Sequence, residues 1–219
     1  LAEALCNAAG DRLSVCRFRV PTPGSTPAPG LQLFGVEPGP GAQLDRRKLA
    51  GGSVGWVLTA PDRRLGFVSQ VASTHTEPVP AYEQTYAATL EALDTLGFGP
   101  EHLVRTWCHF RDVLGHYPEF NDVRRRLFER HRIGPVLPAS TGIQGLADDD
   151  SPLVMDGLAA QGSGLQRHVC SNPAQEEASA YGSLFSRGIR LLGAGPEQVI
   201  VSGMAAIGTA GESLHLGDP

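Results

Sequence analysis

Apolar residues recur along this chain with two periods, and the switch between them lays out its central half. Over residues 81–96, Tyr82, Tyr86, Leu90 and Leu93 return every three or four positions, so they share one face of a helix. Gly97 and Gly99-Pro100 end it, because Gly accepts left-handed backbone and Pro cannot continue the hydrogen-bond ladder. Over 103–113 the period becomes two. Val104, Thr106, Cys108 and Phe110 alternate with Arg105, Trp107, His109 and Arg111, which is a strand. A second helix spans 117–131, with Phe120, Val123 and Leu127 as its buried stripe and Arg124, Arg125 and Arg126 mostly outside. Gly134-Pro135 stops it. Residues 138–143 and 153–158 are expected as paired strands around a polar loop holding Asp148, Asp149 and Asp150. The expected fold class is α+β: a β-α-β-α-β-β unit whose mixed sheet carries both helices on one face.

The flanks are less regular. Residues 1–9 fit a short helix, 12–20 and 31–36 fit strands, and the Pro- and Gly-rich 21–30 reads as a linker. Residues 37–50 read as loop, with Arg46, Arg47 and Lys48 in a solvated turn. Residues 54–59 and 65–73 form a hairpin around Ala60-Pro61-Asp62-Arg63. Residues 66–72 (Gly-Phe-Val-Ser-Gln-Val-Ala) are echoed at 199–205 (Val-Ile-Val-Ser-Gly-Met-Ala), and the interval is about one whole unit. The expected layout is therefore an extension over 1–50, a first unit over 51–165, and a linker with the opening strands of a second unit over 166–219. Two explanations of the missing second half compete: the chain is a fragment, or the half-unit completes a sheet with another chain.

Composition narrows the function. The 219 residues suffice for a sizeable core, and no apolar run reaches the roughly 18 residues of a membrane span. The formal charge of −5 argues against nucleic acid as a partner. Four scattered cysteines without a C-x-x-C point to the reducing cytoplasm. Several chemistries lack their residues. Cys108 and His109 are strand neighbours that face opposite ways and form no dyad. No G-x-S-x-G elbow occurs, and the seven histidines have no metal-ligand spacing, so no metal is expected. Gly193-Ala194-Gly195-Pro196 lacks the third glycine of a dinucleotide loop. Against that background the polar candidates are Arg187 and Tyr181, able to hold carboxylates, Arg105 and Trp107 on one strand face, and the hydroxyls and backbone N–H of Ser140-Thr141-Gly142.

Residues 65–160 in full, and 185–219 in part, resemble the RidA/YjgF superfamily through Phe67-Val68-Ser69, the helix at 82–96, and 104–112 followed by Phe120. Where its imine deaminases carry Pro-Ala-Arg-Ser, this chain has Pro138-Ala139-Ser140-Thr141, and a serine makes no forked contact to a carboxylate. The chain is more similar to the chorismatase branch, chorismate-cleaving enzymes often labelled pteridine-dependent dioxygenases. That resemblance rests on Arg105-Thr106-Trp107, the segment 138–143, Asn172-Pro173-Ala174-Gln175, Ala180-Tyr181 and Phe185-Ser186-Arg187. It continues through 201–207 and the Ser-x-His-x-Gly-Asp tail at 213–218. The segment at Tyr181-Gly182-Ser183-Leu184 departs from the family's Tyr-Gly-Pro-Arg, and Ala174 stands for its arginine.

The resemblance implies cleavage of the enolpyruvyl ether of chorismate, in secondary metabolism. The products would be pyruvate and a dihydroxycyclohexadiene carboxylate or hydroxybenzoate, with no cofactor. It implies substrate contacts from Arg105, Trp107, Thr141, Gly142, Tyr181, Arg187, Ser202, Gly203 and His215, and places the family's acid beyond Pro219. Its alternatives are a non-catalytic ligand-binding or scaffold protein, or another natural-product tailoring enzyme. It also implies trimer-type packing of copies of the chain, or a missing C-terminal fragment. Residues 185–207 are expected to pair with the first sheet, leaving Val199, Val201 and Met204 exposed unless a partner covers them.

Overall fold

The computed structural model describes residues 13–20, 28–145, 150–193, 195–204, 212 and 214. Strands β1 (Leu13–Val20) and β2 (Ala28–Gly35) form an antiparallel hairpin, so β2 takes up the end of the expected linker. Next come β3 (Gln43–Lys48), β4 (Val54–Thr59), β5 (Arg64–Ala72), helix α1 (Pro78–Thr95), β6 (Leu103–Phe110), helix α2 (Tyr117–His131), β7 (Ala139–Gln144) and β8 (Leu153–Gln161). Six of these strands make one mixed sheet in the order β3-β4-β5-β8-β6-β7. Strands β9 (Gln166–Val169), β10 (Gly188–Leu192) and β11 (Gln198–Val201) form a separate antiparallel sheet. The fold is α+β. The proposed short helix at 1–9 lies outside the described residues.

One face of the main sheet is covered by the helices. Tyr82, Tyr86, Leu90 and Leu93 of α1 and Phe120, Val123 and Leu127 of α2 are buried there with Val68, Cys108, Phe110 and Met155 from the strands. Edge-to-face ring pairs tie the layers together, with Phe110 4.8 Å and Tyr82 5.7 Å from Phe120. The opposite face is covered by β-structure. Trp56, Phe67, Val104, Leu158 and Ala160 pack against Ile189, Leu191 and Ile200 of the small sheet. Phe34 at the end of β2 stacks on Phe67 at 4.8 Å and on Trp56 at 5.8 Å.

Four expectations change. Strands β7 and β8 are not partners, because β6 lies between them, parallel to β7 and antiparallel to β8. The α2 crossover delivers β7 to the outside of β6, and β8 then enters the gap between β5 and β6. Arg46, Arg47 and Lys48 belong to edge strand β3 rather than to a turn. Their exposed charges guard that edge against further pairing. Arg124 is buried while Arg125 and Arg126 are exposed, since three consecutive helical residues sweep across the boundary of the apolar stripe. Finally, β9, β10 and β11 stack on the main sheet instead of extending it. A single parallel bridge, Ala139 to Ser186, joins the two sheets. Stacking buries Ile189 and Leu191, which edge pairing would have left in water. Val199, Val201 and Met204 are exposed, as expected.

Candidate functional site

Along the outer edge of β7, past its bridge to Ser186, lies a cleft of about 670 Å³. Its apolar walls are Val113, Leu114, Ile143 and Met204, and its aromatic ones Tyr117, Tyr181 and Phe185. Ser140, Thr141, Ser183 and Arg187 supply the polar side chains, and Gly142 and Gly203 the backbone. No acidic side chain and no lysine line the cleft among the described residues.

Thr141 sets the polarity of this space. Its Oγ1 accepts from the Arg105 guanidinium behind it and from Gly203 N–H at 2.8 Å. Both partners can only donate, so they occupy both lone pairs and leave the hydroxyl proton to be donated. Gly203 is needed for this approach, because a Cβ there would lie 2.6 Å from Thr141 Cγ2. The β7 edge is held to the second sheet by Ser202. Its Oγ accepts from Ser140 N–H at 2.9 Å and donates to Ser186 C=O at 2.5 Å.

Arg187, placed just before β10, is only 3% exposed. Its Nε and Nη2 both donate to Glu176 C=O, at 3.2 and 2.7 Å, which fixes the guanidinium beneath Tyr181 and Phe185. Burial pushes the Tyr181 phenol up against the opposing Arg187 charge, so it is a neutral donor near pH 7. Arg105 is 5% exposed, lies 4.7 Å from the Trp107 ring, and keeps one nitrogen, Nη1, without a hydrogen-bond partner. Burial pulls its pKa down, to about 10, so it stays charged at neutral pH.

The structure thus brings together Thr141, Gly142, Tyr181, Arg187 and Gly203 of the expected contacts. Arg105 acts from behind the wall through Thr141. Trp107 turns away from the cleft to Phe34 and Phe67, on the face opposite the helices. Ser202 is consumed as a clamp, and His215 lies outside the described residues. Sequence reasoning missed Tyr117 and Phe185 as cleft walls. Tyr117 looked like the start of a helix, and Phe185 was only one letter of a motif. Among the described residues no cluster of His, Cys, Asp and Glu is placed to hold a metal ion, and no helix is long and apolar enough to cross a membrane.

One buried base near this site makes stability depend on pH. Burial pushes the His109 imidazole down from 6.5 to about 4. Above the upper value both folded and unfolded chains carry it neutral. As pH falls through the window, the unfolded chain takes up a proton that the folded chain refuses. Stability is therefore lost from about pH 6.5 downward and levels off below about 4, by up to ~3 kcal/mol. Urea unfolding should show wild type losing stability between about pH 7 and 5 more steeply than His109→Gln. Parallel slopes would contradict the assignment.

No family model matches the chain, and no curated protein matches it. Solved structures similar to it include TdcF of E. coli with bound serine, at 12% identity and TM-score 0.43, covering 48% of this chain and 86% of that one. The YjgF gene product of E. coli is similar at 12% identity and TM-score 0.42, covering 48% and 85%. A probable translation initiation inhibitor from Rhodopseudomonas palustris is similar at 19% identity and TM-score 0.40, covering 49% and 84%. These structural neighbours are RidA/YjgF-type proteins, and at such identities the likeness concerns the backbone arrangement alone.

Proposed function

We propose that this chain binds a small ring-bearing carboxylate in the cleft beside β7, in the manner of a RidA-like ligand-binding protein. The reading is carried by the Thr141 hydroxyl, locked as a donor by Arg105 and Gly203. Arg187, neutral Tyr181 and the Gly142 backbone add further donors, and an anion is the ligand that a wall of donors favours. Val113, Leu114, Ile143 and Phe185 suit an apolar ring body. Exposed Val199, Val201 and Met204 fit burial by a second copy of the chain or by a C-terminal continuation. Free Cys108 and Cys170 fit a reducing cytoplasm.

A second reading uses the same cleft for cleavage of the enolpyruvyl ether of chorismate. It is favoured by the pairing of Arg187 with Tyr181, which suits a dianion. Protonating the enol ether calls for a buried carboxylic acid, and none lines the cleft among the described residues. Calorimetric titration with benzoate and with chorismate, while pyruvate is followed, separates the outcomes. Binding without pyruvate supports the binding protein, and binding with pyruvate the enzyme. Absence of heat with both ligands would remove the carboxylate reading.

A further inference from the structure

The helix layer holds a cation that the cleft does not touch. Arg124, in the middle of α2, is 1% exposed. Its neighbours Arg125 and Arg126 reach Asp122 at 2.6 Å and Glu83 at 4.0 Å in solvent. Among the described residues the hydrogen bond of Arg124 goes to neutral Asn121, from Nη2 to Oδ1 at 2.6 Å, and its Nε has no hydrogen-bond partner there. Among the described residues no carboxylate lies within 4.0 Å of Arg124 or of Arg187. A buried, uncompensated guanidinium is costly to keep, and a Met or Leu of similar length would pack without that cost.

Its aromatic contacts point to the cleft. The Arg124 Cζ lies 5.1 Å from the Phe120 ring centroid and 5.8 Å from that of Phe185. The Arg187 Cζ also lies 5.8 Å from Phe185, and Phe185 is a wall of the cleft. Two guanidiniums, neither with a described carboxylate within 4.0 Å, therefore share one ring and stand within about 12 Å of each other, close enough for both fields to reach a desolvated ligand.

We infer that Arg124 is a positioning and specificity-determining residue of the cleft. It holds Phe185 in the wall and supplies a second positive charge behind it, so that the site selects dicarboxylates over monocarboxylates. The inference rests on the carboxylate reading above.

Benzoate and isophthalate share a ring and differ by one carboxylate, so calorimetric titration of the full chain with both isolates the second charge. Wild type should bind isophthalate about tenfold tighter or more, and Arg124→Met should reduce that ratio to about threefold or less. Arg124→Lys keeps the charge but cannot lie flat against Phe120 and Phe185. It should weaken both ligands about threefold or more with the ratio unchanged. An unaltered ratio in Arg124→Met, or unaltered affinities in Arg124→Lys, overturns the inference. Should Arg124→Met give no cooperative melt, Arg124→Lys decides alone. Wild type that binds neither ligand defeats the carboxylate reading and this inference with it. Wild type that binds both equally leaves the carboxylate reading standing and defeats only the second charge.

Discussion

Phe67→Ala should cost about 3–5 kcal/mol of stability, the range for truncating a buried phenylalanine. Phe67 is fully buried at the centre of the sheet face that turns away from the helices. Its ring stands 4.8 Å from Phe34, 5.4 Å from Trp56 and 5.9 Å from Trp107, so one truncation removes three aromatic contacts as well as the buried area. Phe34 comes from the β1–β2 hairpin and Trp56 from β4, while Ile189 and Leu191 of the second sheet share the same cluster. The void cannot collapse without shifting two separate layers. Phe67→Leu, which keeps most of the volume, should cost less than half as much. The test is the urea midpoint at a constant m-value. A loss below about 1.5 kcal/mol for the alanine variant would mean that Phe67 does not tie these layers together.

Thr141→Val should lower the affinity for benzoate about tenfold or more and cost about 1–3 kcal/mol of stability. Valine keeps the shape and deletes the oxygen. The cleft loses the hydroxyl that the carboxylate reading uses as a donor, and buried Arg105 loses the acceptor of its Nη2 while Nη1 already has none. Gly203 N–H is nearer solvent, and water can replace its bond. Thr141→Ser restores the oxygen and should recover most of both effects. Titration and denaturation of the three proteins give the result directly. Wild-type affinity in Thr141→Val would show that the hydroxyl does not meet the ligand.

The same residues show where one-dimensional reasoning reached and where it stopped. The stripe Tyr82, Tyr86, Leu90 and Leu93 is continuous over about three turns, so α1 was legible, as was the alternation that made β6. Strand β3 was hidden because its exposed side chains are mostly charged and give no alternation, while its backbone pairing with β4 is regular. Arg124 could not be told from Arg125 and Arg126, because three identical letters carry no phase, and the Phe185 ring that packs on it is brought in from a distant segment. In the cleft, Thr141, Tyr181, Arg187 and Gly203 stood out as polar or backbone groups in ordered motifs. Phe185 and Tyr117 did not, since an aromatic facing a cavity and one facing a core look alike until the walls are assembled. The stacking of the second sheet was likewise invisible, because apolar alternation says that a face is buried and not against what.

The position of β8 between β5 and β6 bears on how the chain is made. During synthesis β3, β4 and β5 emerge before the rest of this sheet and can close as a meander, and β6, α2 and β7 follow as a parallel crossover. Neither half can hydrogen-bond to the other, because the strand that joins them begins only at Leu153. Until it leaves the ribosome, the growing polypeptide carries two half-sheets with open inner edges and apolar faces. Open strand edges and apolar faces are what aggregate, so that interval is the exposed one, and the late arrival of one central strand completes the sheet in a single step.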